Sequence, residues 1–176
     1  MAGAEGVRPP FGQRFGARLR ASVPAPAVTL FGSVLWGAAL GLSAALDLYL
    51  RNGLATLSPV ALLSLYFYGA AVAFAPGLFL AELVASGRGA VARFILGFIF
   101  IVLSTHTATA AIFALQYRAF YAHWHANFPS LIWFFQLAFT SVSAVYQFTV
   151  ESIYVYLPMA LAAAIGFSLW FVRRAH

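Results

Sequence analysis

The sequence predicts an all-α integral membrane protein: a bundle of four transmembrane helices plus one apolar re-entrant or interfacial helical segment. Hydrophobic residues make up 63% of the 176-residue chain and charged residues 8%, whereas a typical soluble domain is about 25% charged. All ten cationic side chains are arginines, and they stand in small groups between long apolar runs, which is typical of membrane topology signals. A water-soluble fold could not cover its surface with so few charges, so lipid must cover much of it.

The longest apolar stretch, residues 131–172, contains a single formal charge, that of Glu151. No Gly, Asn or Asp lies between Pro129 and Pro158, so nothing there indicates a tight turn. Polar residues recur through its first half at intervals of 4, 3, 4 and 4, which places them on one face of a helix. We call this series the polar stripe, and its members are Gln136, Thr140, Ser143, Gln147 and Glu151.

Residues 1–27 form a basic leader that contains proline and glycine, and we expect a cytoplasmic tail that sets the topology. An amphipathic helix on an anionic leaflet is the alternative. Transmembrane spans are predicted at 28–50, 59–81 and 94–117. Each is about 34 Å or longer as a helix, enough to cross roughly 30 Å of hydrocarbon.

Small residues at four-residue spacing form a ladder in each of the first two spans. Such ladders let helix backbones approach closely, so two facing ladders predict an antiparallel helical hairpin. Their members are Ser33, Gly37, Gly41 and Ala45 in the first span, and Gly69, Ala73 and Gly77 in the second.

The distribution of arginines decides between four and five crossings. With four, eight arginines lie on one side of the membrane and two on the other; with five, the division is six to four. Because arginine concentrates in cytoplasmic loops, we expect four crossings, with the last at 152–172 and both termini on the cytoplasmic side of a bacterial inner membrane. Residues 129–150 must then re-enter the membrane, lie on its surface or pack on a partner. A kink is expected at Pro158, close to where the chain re-enters the bilayer.

His106 lies near the middle of the third span, and an ionisable side chain at that depth indicates a functional role. One interpretation is structural: a hydrogen bond to a neighbouring helix, worth about 0.6 to 2 kcal/mol. Another is a haem or pigment ligand, with any second ligand supplied by another subunit. The third is a proton relay, which needs a carboxylate inside the membrane, yet Asp47, Glu82 and Glu151 are predicted near span ends.

His123 and His125 flank Trp124 in the loop after the third span. An extended segment can turn both imidazoles to one side, where a carboxylate could complete a metal site. The alternative is that aromatic side chains anchor this loop at the membrane surface while the histidines are solvated. At the same outer level, Arg118 and Glu151 could neutralise each other.

The function predicted from these features is that of a non-catalytic accessory or assembly subunit of a larger membrane complex. The partners would be the lipid bilayer and other membrane subunits or further copies of the chain, and the arginine pattern disfavours nucleic acid. The sequence disfavours an enzyme, since it has no recognisable catalytic motif and no cysteine. The alternatives are a small transporter or channel lined by the polar stripe, and a pigment or haem subunit using His106; no cofactor is specified.

Overall fold

The computed structural model describes residues 11–51 and 58–174, and every regular element in these ranges is a helix. The six α-helices are α1 (Phe11–Ala21), α2 (Pro26–Leu50), α3 (Pro59–Ala85), α4 (Ala90–Tyr121), α5 (Leu131–Ser152) and α6 (Leu161–Arg173). A 3-10 turn, Ala122–Trp124, follows α4, and a short irregular segment, Tyr156–Ala160, joins α5 to α6.

Four of these helices, α2 to α5, are long and apolar enough to cross a membrane, and α6 is a shorter apolar helix. This confirms the predicted class, an all-helical membrane bundle with four candidate spanning helices and one shorter apolar helix, but the fourth long helix is residues 131–152 rather than the predicted last span at 152–172. The long helix of the C-terminal stretch is α5, with 22 residues. The 13 residues of α6 span about 20 Å, less than the hydrocarbon thickness of roughly 30 Å.

Local sequence explains where several helices begin and turn. Pro26 and Pro59 occupy the first turns of α2 and α3, where proline removes no helical hydrogen bond. Ser130 caps α5, and its Oγ accepts a hydrogen bond from the Trp133 amide at 3.2 Å. Gly87 has a φ of 74° in the turn between α3 and α4, a conformation that favours glycine.

The two small-residue ladders both lie in helix interfaces, but they do not face each other. On α2, a Cβ at Gly37 would lie 2.8 Å from the Phe67 carbonyl oxygen of α3. On α3, a Cβ at Gly69 would overlap Thr109 of α4, and one at Gly77 would lie 3.2 Å from Ile101 of the same helix. The hairpin of α2 and α3 therefore exists, while the α3 ladder serves its contact with α4, since opposite faces of α3 pack on the two neighbours.

The chain after α4 packs along α4 and runs antiparallel to it. The ring centroid of Phe148 on α5 lies 5.7 Å from that of Phe113 on α4. Further along, the Phe171 ring of α6 packs where Gly97 of α4 leaves space, since a Cβ there would lie 2.8 Å from it. Thus α5 and α6 follow successive parts of α4, and we call the unit of α5, the joining segment and α6 the broken crossing.

The break is centred on Leu157, whose φ of −119° and ψ of 132° are extended rather than helical. Leu157 precedes Pro158, and the ring of a proline disfavours helical backbone in the residue before it. The kink expected at this proline is confirmed.

One end of the bundle carries most of the arginines among the described residues. Arg18 of α1 donates to the Leu83 carbonyl at 3.2 Å. Arg93 of α4 bonds Glu82 at 3.2 Å and the Phe171 carbonyl at 3.3 Å. We call this the arginine-rich end, and its arginines include Arg18, Arg20, Arg88, Arg93, Arg173 and Arg174. Arg51 and Arg118 lie towards the opposite end, at the far ends of α2 and α4.

Candidate functional site at the broken crossing

Ser43 of α2 forms hydrogen bonds to the backbone on both sides of the break between α5 and α6. Its Oγ donates to the Val155 carbonyl at 2.5 Å and accepts from the Ala160 amide at 3.2 Å, and the residue is 2% exposed. A break inside a membrane leaves backbone groups without helical partners, and each unsatisfied group costs several kcal/mol in hydrocarbon. One hydroxyl therefore supplies partners for the carbonyl just before the joining segment and for the amide at its end, which stabilises the break.

His106 marks the middle of the bundle, thirteen residues from Arg93 and twelve from Arg118 along α4. Its Nε2 lies 3.2 Å from the Thr149 hydroxyl of α5. That hydroxyl donates to the Val145 carbonyl at 2.7 Å, so it accepts from His106 and the Nε2 atom carries the proton. A haem iron at Nε2 would have to displace both this proton and Thr149.

Aromatic rings enclose the histidine. The His106 ring centroid lies 5.5 Å from that of Phe148 and 6.2 Å from that of Tyr156. Tyr66 of α3 packs on the same two rings, at 5.9 Å and 6.3 Å. The centre of the bundle therefore combines α3, α4, α5 and the joining segment around one imidazole.

Glu151 is the second-last residue of α5. It accepts a hydrogen bond from Gln147 at 3.1 Å, and these two residues stand one on each side of Thr149 in the sequence. At 1.5 Å per residue, both are about 3 Å along the helix axis from the level of Thr149, and three residues after Glu151 the Tyr154 ring packs on the guanidinium of Arg51 from the far end of α2. Glu151 and Arg118, which could have neutralised each other, form no ion pair within the described residues, because α5 runs antiparallel beside α4; the Arg118 guanidinium lies 5.4 Å from the Trp133 ring.

Both Gln147 and Glu151 are exposed on the surface of the single chain. The structure thus places a hydrogen-bonded amide and carboxyl group on the exposed surface of α5, near the end of that helix. We call this pair the exposed polar pair.

The upper members of the polar stripe have other roles. The Gln136 side chain accepts from the Ala126 amide at 2.8 Å, which ties the preceding loop to α5. Thr140 donates to the Gln136 carbonyl within its own helix at 2.5 Å. Ser143 is exposed. The stripe therefore divides into a segment that secures the loop and the exposed polar pair.

The histidines of the loop remain apart from the carboxylates. His123 is exposed, with Nδ1 3.1 Å from the Phe120 carbonyl oxygen, and His125 is half-buried. Asp47 bonds Arg51 at 2.8 Å, and the Arg51 guanidinium lies 3.8 Å from the centre of the Tyr154 ring. Within residues 11–51 and 58–174, no three His, Cys, Asp or Glu side chains are close enough together to hold a metal ion. Metal binding by the histidine pair stays a prediction.

A second feature is an apolar groove of about 490 Å³ between α2 and α6, which we call the α2–α6 groove. Phe74 of α3 contributes to its lining, and the centroid of its ring lies 5.8 Å from that of Phe167. The residues that line the groove are Ala27, Val28, Phe31, Gly32, Leu35, Trp36, Phe74, Ala163, Gly166, Phe167 and Trp170.

Sequence reasoning did not select Ser43, Thr149, Tyr66 or Tyr156. Ser43 is a single hydroxyl in an apolar run, and its importance depends on a contact 112 residues away in sequence. Tyr156 could have been selected, because it stands two residues before Pro158 in a membrane segment. Comparison with models of protein families, with curated proteins and with solved structures finds no match to this chain.

Proposed function

We propose that the protein is a non-catalytic subunit that binds other proteins within the membrane, as an accessory or assembly component of a larger complex. It would cross a bacterial inner membrane four times, counting the broken crossing once. The arginine-rich end would face the cytoplasm, and support for this orientation comes from the preference of arginine for cytoplasmic loops.

The observation that carries the proposal is the exposed polar pair. A carboxylate inside the hydrocarbon of a bilayer costs up to about 2.5 to 3.5 kcal/mol on insertion scales, and such groups almost always face protein or a water-filled cavity. Gln147 and Glu151 are exposed on the isolated chain. A second protein that covers them with hydrogen-bond donors would remove this cost.

The rest of α5 supports the same proposal. Three of its 22 residues are buried, namely Ala144, Phe148 and Ser152. Large side chains cover the face of α5 that points away from the bundle, and between 53% and 70% of their surface is exposed. They are Phe134, Phe135, Phe139, Val142 and Tyr146. Aromatic residues are enriched in the buried centres of protein interfaces, so this face suits a protein neighbour.

The carboxylates of the described chain support a non-catalytic role. Asp47 pairs with Arg51 and Glu82 with Arg93, while Glu151 bonds Gln147. Each carboxylate has a different partner, whereas acid–base catalysis needs titratable groups that converge on one substrate position.

Photo-crosslinking in native membranes tests the proposal. A photoreactive phenylalanine analogue replaces Tyr146 on the outer face of α5, and the control replaces Tyr68 of α3, since the two tyrosines are 70% and 61% exposed. We expect a protein adduct from position 146 and lipid adducts from position 68. Lipid adducts alone at both positions, or a 19.0 kDa monomer as the species extracted in mild detergent, would contradict the proposal.

A second function, transport, is favoured by the broken crossing itself. Discontinuous helices near the centre of the bilayer form substrate and ion sites in many transporters, and here His106 lies beside the break. Proton flux in proteoliposomes, followed with a pH-sensitive dye, tests this function. The double variant Gln147→Ala, Glu151→Ala should abolish the flux if the exposed polar pair lines a path. A flux equal to that of the unaltered protein would rule out this path.

A further inference from the structure

The α2–α6 groove is open to lipid along one side. Phe31 and Leu35 of α2 line it and are 69% and 71% exposed. Gly166 of α6 also lines it, and a Cβ at this position would meet no atom within 4 Å. The groove therefore has an apolar interior, and its α6 side has room for additional atoms.

The length of the groove matches one leaflet. It extends along α2 from Ala27 to Trp36, nine residues or about 14 Å, which is roughly half of the hydrocarbon thickness. Its deep end lies at the middle of the bundle, because Trp36 Nε1 donates to Thr105 Oγ1 at 2.9 Å, and Thr105 precedes His106. Beyond it, Ser43 ties α2 to the joining segment. A transmembrane partner helix would need a surface of about twice this length, whereas a single acyl chain fits it.

The shallow end of the groove lies at the arginine-rich end. Trp170 lines the groove there, and the Arg174 guanidinium lies 5.4 Å from the centroid of its ring. Arg18 and Arg20 of α1 are close in sequence to the first turn of α2, on the same end. An apolar groove one leaflet deep with a cationic mouth is complementary to a molecule with a long apolar chain and an anionic head.

We propose that the α2–α6 groove binds an anionic phospholipid from the leaflet at the arginine-rich end. One acyl chain lies between α2 and α6, and the phosphate group contacts Arg174. This site is separate from the exposed polar pair on α5, so its test does not depend on the proposed partner.

Native mass spectrometry of the purified full chain tests the charge requirement. The protein is equilibrated with phosphatidylglycerol or with phosphatidylcholine that has the same acyl chains. We expect preferential retention of phosphatidylglycerol. Arg174→Gln should lower this retention about fivefold, the effect of one arginine near an anionic lipid surface. Arg118→Gln is the matched control, because its guanidinium also lies 5.4 Å from a tryptophan ring, at the opposite end, and it should change nothing.

Filling the groove tests its position. Gly166→Leu should remove retention of phosphatidylglycerol, and Ala111→Leu, on an exposed part of α4 outside the groove, should not. Equal retention of both lipids by the unaltered protein, or full retention by Gly166→Leu, overturns the proposal, as does an adduct with the mass of a second protein chain. If Gly166→Leu does not yield folded protein, the comparison of Arg174→Gln with Arg118→Gln decides.

Discussion

Ser43 bonds two backbone groups of the broken crossing at once, the Val155 carbonyl and the Ala160 amide. Ser43→Ala would leave both groups without this partner in an apolar environment. We expect a loss of about 1 to 3 kcal/mol in the free energy of unfolding, measured by denaturation in mixed micelles. Ser33→Ala on the same helix is the control, and its effect should stay within about 0.5 kcal/mol. Equal losses in the two variants would show that the hydroxyl does not stabilise the break.

The contact between His106 and Thr149 can be separated from its surroundings with a double-mutant cycle. His106→Ala and Thr149→Val each remove one partner of the 3.2 Å contact. Hydrogen bonds between membrane helices are worth about 0.6 to 1.7 kcal/mol in such cycles, and we expect a coupling energy in that range. The pair His106→Ala and Thr140→Val should show no coupling. A coupling near zero for the first pair would contradict the structural role of the histidine.

At the scale of helices, α3 and α4 approach closely because Gly69 has no side chain. A Cβ there would overlap Thr109, so Gly69→Ala should destabilise the bundle by about 1 to 3 kcal/mol through overpacking. Gly166→Ala is the matched control on α6, since its Cβ would meet nothing within 4 Å. It should cause no loss of stability, because alanine favours helix over glycine. Thermal unfolding in detergent measures both variants.

The sequence predicts where the helices lie along the chain better than it predicts which helices pack against each other. Apolar length fixed the existence of α2, α3 and α4, and Pro158 located the break, because both depend on local composition. The Gly69 and Gly77 ladder was recognised, but its partner was not, since a row of small residues does not specify which neighbour it faces. The charge of Glu151 indicated a span end, and the residue is the second-last of α5, but the sequence did not indicate that Arg118 packs near Trp133.

For the whole molecule, orientation can be tested because the chain contains no cysteine. Two single-cysteine variants serve as reporters. Ser86→Cys lies in the turn between α3 and α4 and Asn127→Cys lies in the loop before α5, so the two exposed positions are at opposite ends. We expect a membrane-impermeant maleimide to label position 127 in intact cells and position 86 only after the cells are opened. Labelling of both positions in intact cells would contradict an arginine-rich end on the cytoplasmic side.

The broken crossing also has a consequence for biogenesis. A segment of 13 apolar residues is shorter than the 17 to 25 or so that span a bilayer, so the insertion machinery has no complete span to recognise in α6. Its entry must follow that of α2, whose serine supplies the hydroxyl that receives the freed backbone. The insertion of α6 would thus be completed only after α2, which precedes it in the chain, is in the membrane.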